Sequence, residues 1–168
     1  MIQGRTSLVK APVLPATTLD AGCYSEMFGG CTSLVKAPDL PATTLGTQCY
    51  NDMFYGCTSL TKAPELPATT LTYSCYYGMF GGCTSLVNAP VLPTTTLANS
   101  CYGYMFYGCS SLNYIKAMFT TTPGMSCTFN WVNGVSATGT FVKNSAATWN
   151  VSGVNGVPTG WTVETATS

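Results

Sequence analysis

A unit of 26 residues recurs along the first two thirds of this 168-residue chain, and it limits the possible folds more than any other feature. Cys31, Cys57, Cys83 and Cys109 are spaced by 26, and so are Cys23, Cys49, Cys75 and Cys101. The unit reads CTSLVKAPDLPATTLGTQCYNDMFYG from Cys31 to Gly56, and further copies run over 57–82 and 83–108. Upstream, Arg5 to Gly30 is the same unit with Arg5 in place of the first Cys, and CSSLNYIKAMF opens a partial copy over 109–119. Met1-Ile2-Gln3-Gly4-Arg5 aligns with Met53-Phe54-Tyr55-Gly56-Cys57, so the chain is expected to begin inside a unit, with no distinct N-terminal cap. On that expectation it was cut from something longer, or a partner covers that end.

A unit this short cannot bury its own apolar face, whereas stacked neighbours bury a continuous one. The pattern therefore predicts a repeat solenoid of stacked copies. Its inward columns are Leu34/Leu60/Leu86, Ala37/Ala63/Ala89, Leu40/Leu66/Leu92, Leu45/Leu71/Leu97 and Phe54/Phe80/Phe106. Pro38, Pro41 and their equivalents fix φ and remove backbone donors. Sheet is thus expected only over Ser33 to Ala37 and its copies, in parallel rungs about 4.8 Å apart. The run CYNDMF is expected to form a single helical or 3₁₀ turn. Gly56, Gly82 and Gly108 are expected to take a tight turn or a positive φ.

Charge excludes several functions. Charged residues are 7% of the chain, six basic and six acidic, for a net charge of zero. Nucleic-acid binding needs a basic patch to displace counterions, and anchoring on anionic lipid needs a polybasic segment; neither is present. No stretch approaches the roughly 20 apolar residues that span a bilayer, so no membrane span is expected. The N-terminal segment shows no signal peptide.

Candidates for chemistry are few. Histidine is absent, which excludes Ser-His-Asp and Cys-His catalysis and the commonest metal ligand. Eight of the nine cysteines form the two ladders and Cys127 stands apart. Their spacing matches no zinc knuckle or redox pair, so they read as buried free thiols packed as small apolar side chains, with a Cys23–Cys31 type link as the competitor. Asp39 and Glu65 are equivalent carboxylates in adjacent copies, which invites comparison with a glycosidase pair. Val13 and Val91 interrupt that column and Lys36 and Lys62 lie beside it, so a solvated surface pair is expected, not an acid and a base. No enzyme, cofactor or metal site is expected.

The exposed columns are better placed for recognition. Lys36 and Lys62 share one face with Lys10 and Asn88. Tyr24, Tyr50, Tyr76 and Tyr102 form a complete column and are expected to pack within the stack. Tyr55, Tyr73, Tyr77, Tyr104 and Tyr107 vary between copies, so stacking does not require them, and with the lysines they are the candidate ligand-binding residues.

The pattern C-x-x-L-x-x-A-P-x-L-P-x-x-x-L-x-x-x-C-Y-x-x-M-F-x-G resembles the BspA-like class of leucine-rich repeats, found in surface and secreted proteins of gut and oral bacteria and some of their phages. The resemblance covers residues 1–119; it departs from many relatives in having Ala-Pro-x-Leu-Pro where they have Ile-x-Leu-Pro. It implies a leucine-rich-repeat-like solenoid with short parallel strands, and adhesion or ligand binding without catalytic residues. The segment from Asn130 to Val163 resembles the piece that closes such arrays, and residues 120–168 are expected to be a small β-rich cap whose three Trp residues plug the core. The expected function is a surface or secreted binding module for glycan or host protein, extracellular or at the cell surface. The alternative is a structural subunit of an appendage or a phage tail or fibre, at the virion surface, self-associating or docking through its N-terminal end.

Overall fold

The computed structural model describes residues 2–167, apart from the side chain of Met125; the alignment of Met1 with Met53 lies outside them. The chain is mostly non-helical. Among the described residues the one regular sheet is open, parallel and three-stranded, in the order β1 (Tyr114–Ala117), β2 (Thr140–Lys143), β3 (Thr162–Thr165), with Tyr114 opposite Thr140 and Thr140 opposite Thr162. A four-residue helix, α1 (Met125–Thr128), lies between β1 and β2. Ile115, Ala117 and Phe141 bury their side chains under this sheet, and β3 is exposed throughout.

Within the copies, the strands expected over Ser33–Ala37 and its equivalents do not form. Lys36 makes single parallel bridges to Lys10 and to Lys62, and Asn88 bridges to Tyr114. The prolines explain this: Pro38 and Pro41 have no N–H to continue a ladder, so pairing stops after the bridge. Where the pattern loses its prolines, after Cys109, the same column lengthens into β1.

The CYNDMF run is not a helical turn either. It is a chain of tight turns with positive φ at Gln48 (56°), Asp52 (51°) and Gly56 (72°). The alternation redirects the donors. The N–H groups of Gln48, Tyr50, Asp52, Phe54 and Gly56 donate to the carbonyls of Tyr73, Cys75, Tyr77, Met79 and Gly81 in the next copy, at 2.7–3.0 Å. The intervening N–H groups of Asn51, Met53, Tyr55 and Cys57 donate three residues back within their own copy. Every second peptide thus ties one copy to the next, so neither a helix nor a free loop is left. The expectation for the glycines holds: Gly56, Gly82 and Gly108 have φ of 71–72°, and a Cβ on each would lie 3.6–3.8 Å from the Cα of the glycine one copy earlier.

The core follows the apolar columns. Leu34, Leu60, Leu86, Phe54, Phe80 and Phe106 are fully buried. Ala63, Ala89, Leu71 and Leu97 are only half-buried, in contrast to the expected inward columns. Phe28, Phe54, Phe80 and Phe106 stack face to face at 5.5–5.9 Å, and Tyr24, Tyr50, Tyr76 and Tyr102 at 5.7–6.1 Å.

The donor pattern continues past the point where the sequence pattern fades. Tyr102 donates to Cys127, Phe106 to Trp131 and Gly108 to Asn133, as their equivalents do one copy earlier. Cys127 therefore belongs to the Cys23 ladder, 26 residues beyond Cys101, and does not stand apart. All three Trp residues are buried, with indole N–H groups donating to the carbonyls of Gly156, Phe119 and Ser136.

Candidate functional site

The seven candidate residues fall on two surfaces. Lys36 and Lys62 lie with Asp39 and Glu65 in a shallow groove walled by Pro41 and Pro67. Its four charged side chains are all exposed. No tyrosine lines this groove.

The five tyrosines share the wall built by the alternating turns. Tyr77 and Tyr104 lie 5.5 Å apart between ring centroids, Tyr104 and Tyr107 5.6 Å, and Tyr104 meets Phe129 edge-on at 5.4 Å. Tyr107 and Phe129 remain 40% and 39% exposed, so the cluster presents apolar ring surface to solvent. The Tyr104 hydroxyl accepts a hydrogen bond from the Asn130 amide (3.4 Å), which fixes the ring between two copies. Tyr73 is half exposed beside Tyr77, and burial, with Tyr104, Asp52 and Tyr73 nearby, raises the Tyr77 hydroxyl above its ordinary pKa. Phe129 was not among the sequence candidates, although it stands 26 residues beyond Gly103, in the column of Tyr77.

Tyr55 extends this wall towards a cleft of about 600 Å³ that sequence reasoning missed. Gly4, Gly30 and Gly56 form its floor, and the Gln3 side chain, Glu26, Asp52 and Tyr55 surround it. Gln3 Nε2 donates to Glu26 (2.7 Å), and Asn51 Nδ2 donates to Asp52 (3.2 Å). Burial and the neighbouring Glu26 raise the Asp52 pKa, and the Asn51 hydrogen bond opposes them. The legible signal was spacing: Glu26 and Asp52 are 26 residues apart, as are Gly29 and Tyr55. Glu26, Asp52 and Tyr104 also hold positive φ values of 54°, 51° and 53°, a conformation costly for residues with a Cβ.

The buried cysteines are poorly placed to react. All nine are free, and seven are fully buried. They are more than apolar filler: the thiols of Cys57, Cys83 and Cys109 donate to the carbonyls of Phe28, Phe54 and Phe80 at 3.0–3.2 Å. Burial raises the pKa of Cys49, Cys57 and Cys109 to about 12 and of Cys75 to about 11, which keeps them protonated and unreactive at neutral pH. Among the described residues no cluster of His, Cys, Asp or Glu is arranged to hold a metal ion, and no helix is long and apolar enough to cross a membrane. No family profile, curated protein or solved structure matches the chain.

Proposed function

We propose that this chain is a repeat solenoid of the BspA-like leucine-rich-repeat kind over residues 1–119, closed by a capping segment over 120–168, and that it works as a non-catalytic binding or adhesion module for glycan or host protein. Its setting in this reading is the cell surface or the extracellular space. The observation that carries it is the cluster of Tyr77, Tyr104, Tyr107 and Phe129, whose rings meet at 5.4–5.6 Å yet keep solvent-facing area. Core packing is already served by the buried Phe and Tyr stacks, so these extra rings add little to the stack. They supply large rigid contact area at low entropy cost, which is what a recognition surface needs.

The test is binding of the purified chain to immobilised glycans and to extracellular host proteins, with Tyr104→Ala/Tyr107→Ala alongside. The reading expects binding by the wild type and a loss of roughly tenfold or more in the variant, the effect of removing anchoring aromatic contacts. Binding to neither class, or equal binding by the variant, would sink it. A defined oligomer or filament in solution without any ligand would point instead to the structural subunit.

A further inference from the structure

The wall repeats one local device. The Tyr55 ring covers Gly81, where a Cβ would come within 2.7 Å of Cδ2 and Cε2. The Tyr77 ring covers Gly103 in the same way, at 2.9 Å. In each case a ring from one copy leans over a glycine of the next, and the missing side chain is the space the ring occupies. Gly29 is the equivalent of Gly81 two copies earlier, but the residue leaning towards it is Gln3 and not an aromatic. A Cβ on Gly29 would meet nothing closer than the Glu26 carbonyl at 3.4 Å, Gln3 Cγ at 3.6 Å and the Asp52 carbonyl at 3.7 Å. Gln3 fills less of that place than a ring would, and the cleft described above opens beside it.

The size and chemistry of the gap define the occupant. Gln3 and Tyr55 lie two rungs apart, about 10 Å at the usual strand spacing. One flat ring in contact on both faces needs about 7–8 Å, so the gap admits one ring and not two. Tyr55 lays its ring over Gly81, lines the cleft and is half exposed, so ring surface remains for a stacking partner. At the rim, Glu26 holds the Gln3 amide and keeps acceptor capacity that matches hydroxyl or ammonium groups, while the Asp52 carboxylate leans over Gly78 and accepts from Asn51. The negative charge of Glu26, with Asp52 near enough to feel it, repels a ligand that carries its own carboxylate.

We infer that the cleft over Gly29, between Gln3 and Tyr55, is a subsite for one pyranose ring of a neutral or amino-bearing glycan, stacked on Tyr55 and hydrogen-bonded to Glu26. Acidic sugars are excluded from it. The inference rests on the binding-module reading and names its ligand class and one of its contact points.

The experiment titrates the chain with neutral cello-oligosaccharides, chitosan oligosaccharides and oligogalacturonate, reading tyrosine fluorescence and calorimetry. Two variants fill the gap from within. Gly29→Ala adds a methyl group that makes only ordinary contacts, so the fold is kept. Gln3→Tyr places a ring over Gly29 as Tyr55 sits over Gly81. The expected result is binding of the neutral or the chitosan series, none of the oligogalacturonate, and roughly tenfold or greater weakening in both variants at unchanged melting temperature, the effect of one lost stacking contact with its hydrogen bonds. Oligogalacturonate binding as tightly as the others overturns the inference, as does wild-type affinity in both variants or binding of neither favoured series. Binding that vanishes in Tyr104→Ala/Tyr107→Ala but persists in Gly29→Ala and Gln3→Tyr removes this subsite and leaves the binding module standing.

Discussion

The ring of Tyr55 occupies the space that a side chain at Gly81 would need. The two residues are 26 apart and belong to adjacent copies, so the glycine is a condition for the tyrosine's position. Gly81→Ala is expected to cost about 1–3 kcal/mol through overpacking. Adding Tyr55→Ala should return part of that loss, because the clash goes with the ring. Urea unfolding of the two single variants and the double variant measures the coupling, and additive losses would contradict the contact.

A second expectation concerns the buried tyrosines. The hydroxyls of Tyr50, Tyr76 and Tyr102 are enclosed without a hydrogen-bond partner. A buried hydroxyl left unpaired costs about 1–3 kcal/mol. Tyr76→Phe keeps the stacked ring and removes that cost, so the variant should unfold at higher denaturant than the wild type. Loss of stability on this change would mean that the hydroxyl has a partner, such as an enclosed water.

Much of this arrangement was legible in the sequence, for a physical reason. Leu34, Phe54, Tyr76 and their equivalents recur because each must fill the same place in every copy, so period together with apolar or aromatic character marks them as core, whereas the recurring Lys36 and Lys62 are exposed and Leu71 and Leu97 only half-buried. The backbone was less legible. Ser33–Ala37 satisfies strand propensity, but Pro38 and Pro41 withdraw the donors that a ladder needs, and only single bridges remain. CYNDMF carries no glycine before Gly56 that would announce the positive φ at Gln48 and Asp52. Those angles are imposed by donors in the neighbouring copy. The cleft was hidden because Glu26, Asp52 and Gly29 look unremarkable one copy at a time; it is the column from Gln3 through Gly29 to Tyr55 that sets a glutamine where later copies have a ring.

The Phe column gives the sharpest test of register. Phe54 is fully buried and stacks on Phe28 at 5.5 Å and on Phe80 at 5.7 Å. Phe54→Ala should cost about 3–5 kcal/mol, measured by chemical denaturation, and a loss within about 0.5 kcal/mol is the scale of a surface site.

The thiols make stability fall in alkali. Burial raises Cys49, Cys57 and Cys109 to about 12 and Cys75 to about 11, above the ordinary thiol value of 9.0. A raised pKa means the folded chain holds these protons after the unfolded chain has released them. Their contribution is therefore complete below about pH 9 and is lost as pH rises towards 12. Cys57→Ala should flatten that decline, as followed by denaturant midpoints from neutral to alkaline pH. Under native conditions a thiol reagent should modify Cys23 and Cys127 first, since they alone are partly exposed, and all nine cysteines only after denaturation.

The bonds between copies have one further consequence. Along the turn wall, N–H groups from Gly22 to Gly108 donate to carbonyls of the copy that follows, so these peptides point the same way along the stack. Aligned peptide dipoles add, as they do along a helix axis. In a chain with no net charge this gives the wall an electrical direction of its own, with the negative pole at the Gly4 end and the positive pole towards Asn133. The chain carries no net charge, yet this wall is polarised along its own run of bonds, and a cation near its Gly4 end meets the side that the carbonyls face.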